Sequence, residues 1–179
     1  MTRVLYTYDL WLPLVMLMVV TIVGCGGQQT PADKPQENTA PTIDQRSYNL
    51  GVIGAFGEMV DVGVKTLALS AALPPDEMDR LVEEAARVAQ RNNVEIYREA
   101  DFLVTDLFPP AITEGKHVLV IYKGETKQAY LDLKARKAQL VASDKYTGKA
   151  REDIARQFGT MLSYPEWKID ALIGKNSAK

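Results

Sequence analysis

Thiols and imidazoles are almost missing from this 179-residue chain, which has one cysteine and one histidine. A single cysteine excludes an intramolecular disulfide, and the two residues together cannot complete a four-ligand zinc cage. No metal site or cofactor is expected. Charge of one sign is lacking too: 21 Lys and Arg face 23 Asp and Glu. That near balance excludes an electrostatic nucleic-acid binder. No internal repeat of solenoid length occurs, and no apolar run reaches the length of a membrane span. What is present is an average globular composition, 46% apolar and 25% charged, sufficient for one domain and a tail.

The most informative stretch is the first. Leu10–Val23 is an apolar run of 14 residues interrupted by Pro13 and preceded by Arg3 and Asp9. As a helix it would reach about 21 Å, short of a hydrocarbon core of about 30 Å. It has the length of the apolar region of a secretory signal. It ends in Ile22-Val23-Gly24-Cys25: two aliphatics, a small residue and the sole thiol of the chain. This resembles the lipobox of bacterial lipoprotein precursors. The resemblance covers the first two dozen residues and implies a processing class, not a fold. It implies lipid on the Cys25 thiol, cleavage before Cys25 and a membrane partner held through that lipid. The class also implies that Gly26, in place of aspartate, directs a two-membrane host to place the protein on the periplasmic side of its outer membrane. In a one-membrane host the outer face of the plasma membrane is the expected location.

Residues 25–48 read as a flexible tether. They are polar, are punctuated by Pro31, Pro35 and Pro41, and have only Ile43 and Tyr48 to offer a core. A flexible chain of this length spans about 25–29 Å. Residues 49–179 then form the single domain.

Apolar residues at helical spacing predict a helix over Gly51–Val62, and Thr66–Leu69 predicts a short buried strand. Pro74 and Pro75, followed by Asp76 and Glu77, open a helix with an apolar stripe from Met78 to Ala89. Val94–Tyr97 and Asp101–Thr105 are read as strands, and His117–Tyr122 as the strongest strand of the chain. Helices are expected over Thr126–Val141, Lys149–Leu162 and Ser163–Ile173, the last opened by a capping box from Ser163 to Glu166. The fold class is α/β: a small mixed or parallel sheet of three to four strands flanked by helices, with additional C-terminal helices.

Candidate binding residues follow from that arrangement. In a parallel sheet, ligands collect beyond the strand C-termini, where Ser70, Asp106 and Lys123 would offer a hydroxyl, a carboxylate and a cation. Loop polarity and capping explain the same residues without a ligand. Gly51, Gly54 and Gly57 mark either close helix packing or a cleft with Glu58 and Asp61 beside it. His117 invites a triad with Ser70 and Asp106. With parallel strands, however, it stands about 17–20 Å from Ser70, too far for a base. Leu107, Phe108 and Ile112 either fold back into the core or form a patch for a partner. The basic run from Lys127 to Arg151 reads as a solvated helical face, with a weak electrostatic contact to anionic lipid or wall polymer as the alternative. Two function classes remain. The leading one is a lipid-anchored envelope module that binds a protein or a small ligand or serves structurally. The other is a tethered hydrolase or transferase using Ser70, Asp106 and Lys123. The enzyme reading requires those three residues to share a pocket.

Overall fold

Among the described residues only one strand is buried at every position, and that strand organises the fold. Val118–Tyr122 (β3) is buried along its whole length, which requires cover on both faces. The computed structural model describes residues 42–177, so Cys25, the signal-like run and most of the expected tether lie outside the described part. The described elements are α1 (Gln45–Asp61), β1 (Leu67–Leu69), α2 (Pro75–Arg91), β2 (Glu95–Glu99), β3, α3 (Thr126–Ala142), α4 (Gly148–Met161) and α5 (Glu166–Ser177). A 3-10 turn, Pro110–Ile112, precedes β3. No helix among the described residues is long and apolar enough to cross a membrane.

The sheet has the order β1-β3-β2. The small α/β fold with C-terminal helices is present, but the strand directions differ from a mixed or parallel sheet. Both pairings are antiparallel, with Leu67 opposite Tyr122 on one side of β3 and Glu95 opposite Tyr122 on the other. β1 and β2 run the same way, joined by α2, and β3 enters between them from the opposite direction. The result is a split β-α-β unit. Burial fits the order: β2 carries Glu95 and Arg98, whereas β3 is apolar and buried at all five positions.

Two apolar layers follow from the alternation of β3. Leu119 and Ile121 face α1 and α2, joining Ile53, Val60, Met78 and Leu81. Val118, Val120 and Tyr122 face α3, α4 and α5, joining Tyr130, Leu133, Phe158 and Ile169. Each fully buried Leu or Ile contributes about 1.5–3 kcal/mol.

The first helix begins earlier than its apolar spacing indicates. Asp44 caps it, accepting hydrogen bonds from the Arg46 and Ser47 backbone N–H groups at 3.3 Å. Arg46 also pairs with Glu84 of α2 at 2.7 Å. The folded region therefore starts within the stretch read as tether, because a polar first turn has no hydrophobic signature. A chain starting at Asn49 should unfold at a temperature a few degrees below one starting at Thr42. Loss of an Asp cap alone costs about 1 kcal/mol. Equal melting temperatures would show that the cap and first turn contribute nothing.

Two further expectations change. Ser163 does not open α5: its φ of 59° is left-handed, and it closes α4. Tyr164 N–H donates to the Gly159 carbonyl and Ser163 N–H to that of Thr160, which is a Schellman ending. The hydroxyl of Ser163 accepts from Thr66 N–H at 2.8 Å instead, while Glu166 pairs with Arg156. Residues 101–105 form no strand. Their backbone is satisfied by side chains of α3, and that substitution builds the site described next.

Candidate functional site

The connection from β2 to β3 is unusually apolar, and the fold draws it inward. Phe102, Leu103 and Leu107 are buried against α3, α4 and α5. Phe108 packs beside Phe102 and Phe158, with ring centroids 6.5 and 6.4 Å away. Of the three residues weighed as a partner patch, only Ile112 remains exposed, at 48%. Burying a loop removes water from its peptide groups, so other donors and acceptors must replace it.

Helices α3, α4 and α5 supply those groups. Tyr130, Lys134 and Lys137 fall on one stripe of α3 at positions i, i+4 and i+7. Leu103 N–H donates to the Tyr130 hydroxyl at 3.2 Å, and that hydroxyl donates to Glu99 at 3.1 Å. Lys134 Nζ reaches both carboxylate oxygens of Glu99 at 3.1 Å and the Asp101 carbonyl. Lys137 Nζ donates to the Val104 carbonyl at 2.7 Å. Arg151 of α4 forks onto Asp106, its Nε at 2.7 Å from Oδ2. Asn176 of α5 donates to the Asp106 carbonyl at 3.0 Å. Part of the basic run expected to face solvent thus turns inward to clasp the loop. Lys149, by contrast, pairs with Asp153 on its own helix.

Burial sets the electrostatics here. It pushes the Tyr130 phenol far up, with the neighbouring Glu99 carboxylate adding to the shift. It pulls the Lys137 ammonium down. Lys134 is pulled down by burial but raised more by its bonds to Asp101 and Glu99, so its net shift is upward. Tyr130→Phe should cost about 1–3 kcal/mol, because Leu103 N–H is left unpaired in the core. The sign of its pH dependence follows from the raised pKa. Tyr130's contribution is fully present below the unfolded value near 10 and is lost as pH rises toward the folded one. Urea unfolding from pH 8 to 11 should therefore show the gap between wild type and variant narrowing at the alkaline end. A constant gap would refute the assignment.

Between this loop and the three helices lies a cavity of about 190 Å³, with Thr105, Asp106, Phe108, Lys137, Tyr146 and Arg151 on its walls. Asp106, 7% exposed, is the one sequence-chosen candidate that lines it. Glu99, Tyr130, Lys134, Lys137 and Tyr146 were not among the chosen candidates. The available signal was two lysines on the same helical stripe as buried Tyr130 and Leu133.

The other candidates lie apart. Ser70 finishes the β1–β3 ladder: its N–H donates to the Leu119 carbonyl and its Oγ accepts from Leu119 N–H, both at 2.9 Å. Lys123 is four residues further along β3, about 13 Å of strand away. Its Nζ pairs with Asp61 at 2.5 Å. Asn93 also donates to Asp61 at 3.0 Å, and these two hydrogen bonds hold the Asp61 carboxyl below its usual range. Ser70, Asp106 and Lys123 therefore do not share the pocket that the enzyme reading requires.

Glu58 is exposed and does not join Asp61 in a cleft. The groove beside the glycines, about 500 Å³, is lined instead by Gly51, Gly54, Glu84, Arg87 and Arg91. Close packing explains Gly57, where a Cβ would stand 3.1 Å from that of Asn92.

His117 requires a corrected argument. The strands are antiparallel, and His117 bridges Leu73 beside the Ser70–Leu119 pair, so the separation inferred from a parallel sheet does not apply. What separates the two side chains is bonding. The Arg98 guanidinium donates to His117 Nδ1 from 2.9 Å, and Asp79 holds Arg98 at 2.6 Å. The Ser70 hydroxyl is spent on Ala71 and Leu119.

Among the described residues, no group of three His, Cys, Asp or Glu is placed to hold a metal. Comparison with protein-family models, with curated proteins and with solved structures finds no match to this chain.

Proposed function

We propose that the chain is a lipid-anchored lipoprotein of a bacterial cell envelope whose α/β domain is a binding module. The observation that carries the reading is Ile22-Val23-Gly24-Cys25 at the end of a short apolar run, followed by a polar, proline-punctuated stretch. The first helical cap, Asp44, stands 19 residues after that cysteine. The binding part of the reading draws support from the small, partly open cavity beside Asp106, where apolar walls meet a few convergent polar groups.

Mass spectrometry of the native protein extracted from membranes tests the anchor. The N-terminal peptide should begin at Cys25 and carry the added mass of a diacylglycerol with or without a further acyl chain. A native chain that begins at Met1 and carries no lipid would end the reading. In a two-membrane host, sucrose-gradient fractionation should place the protein with outer-membrane markers, as Gly26 implies by resemblance to the class. Co-migration with inner-membrane markers would overturn that destination.

A further inference from the structure

The cavity beneath residues 104–110 presents the Lys137 ammonium, which has no ion-pair partner among the described residues. Lys137 Nζ has three donors and spends one on the Val104 carbonyl. It also sits 5.3 Å from the centroid of the Tyr146 ring. The carboxylates nearest in the network are engaged elsewhere: Glu99 and Asp101 with Lys134, and Asp106 with Arg151. Among the residues on the cavity walls, two cations, Lys137 and Arg151, face one carboxylate, Asp106, while the Asp101 carboxylate that also acts on Lys137 is paired with Lys134. Burial already disfavours the Lys137 ammonium, the condition that a bound anion would relieve.

The remaining walls restrict the anion further. Val104, Phe108, Pro109 and Pro110 are apolar, and the volume of about 190 Å³ is below that of pockets for drug-sized ligands. A multiply charged phosphate would bring more negative charge than the one cation in excess on the walls neutralises, beside the Asp106 carboxylate. A carboxylate on a short apolar body fits both the charge and the wall.

We propose that this cavity binds a small organic monocarboxylate, with its carboxylate on the Lys137 ammonium and its apolar body against Phe108 and Pro109. The proposal rests on the binding-module reading and supplies its ligand class; it is independent of the lipid anchor.

The test is titration of the full-length, nitrogen-15-labelled chain in detergent micelles, followed by amide chemical shifts. The probes are sodium butyrate, butyramide and inorganic phosphate, each to about 50 mM, a range that captures millimolar binding. Butyrate should give saturable shifts centred on Thr105, Asp106 and Tyr146. Butyramide, equal in shape but uncharged, should bind at least about tenfold more weakly, as should butyrate to Lys137→Met. Lys137→Arg should retain butyrate binding. Absence of saturation, equal binding of butyrate and butyramide, or undiminished affinity in Lys137→Met would overturn the site. Tighter binding of phosphate than of butyrate would overturn the ligand class. The butyrate–butyramide comparison uses the unaltered chain, so it decides even if a variant misfolds. The mass of the native N-terminus separately decides the anchor.

Discussion

Replacing Cys25 with alanine should abolish labelling of the protein by radioactive palmitate and alter its distribution between membrane and soluble fractions. The effect is expected to be all-or-none because Cys25 is the sole thiol of the chain. No other side chain can take a thioether-linked lipid. The energetics favour the same outcome. One acyl chain binds a bilayer only marginally, whereas two or three hold it firmly, each buried methylene contributing about 0.8 kcal/mol. The apolar run of 14 residues before Cys25 is about 21 Å long as a helix and does not replace such an anchor as a stable span. Palmitate labelling that persists unchanged in Cys25→Ala would sink the lipoprotein reading, whatever the domain binds.

The second large effect is expected from Phe158→Ala. This ring is fully buried and lies 5.7 Å from Phe102, 6.4 Å from Phe108 and 6.0 Å from Tyr130, centroid to centroid. It joins α4 to α3 and to the inward-folded loop that carries Asp106. Truncation removes transfer energy and leaves a cavity that α3 and the loop cannot fully close, a loss of about 3–5 kcal/mol. Against a typical total of about 5–15 kcal/mol, that endangers the whole domain. Ile112→Ser, in the same connection but half-exposed, should change stability by no more than about 0.5 kcal/mol. Chemical denaturation of both variants provides the comparison. A loss below about 1 kcal/mol for Phe158→Ala would mean that the loop is not seated on this ring.

Some of the site was visible in the sequence and some was not. Asp106 stood out as the residue that follows an expected strand over 101–105; no such strand forms, and Asp106 lines the cavity because the loop folds inward. Lys137 did not stand out, because a lysine within a basic run reads as solvated until the helical stripe is found to face inward. Ser70 and Lys123 were grouped by an assumed strand direction, and with antiparallel strands they separate along β3. The capping-box spacing at Ser163 was real, but the residue follows α4 directly, and the left-handed ending of that helix claimed it.

The sequence by itself marked the helices and the three strands that form, although it also predicted a strand over residues 101–105 that does not. Period-3.6 stripes marked α2 and α4, Pro75 set the start of α2, and five consecutive apolar residues marked β3 as buried on both faces. These signals are local, since each depends on residues a few positions apart. It also carries the expected address, in residues that lie outside the described part. Tertiary structure alone decided the direction of β3, the inward turn of residues 100–109 and the meeting of Asp106, Lys137, Tyr146 and Arg151. Those outcomes depend on contacts between residues tens of positions apart, such as Arg151 with Asp106, which no periodicity encodes. A buried loop must find partners for its peptide groups, and only the packed helices determine which side chains reach it.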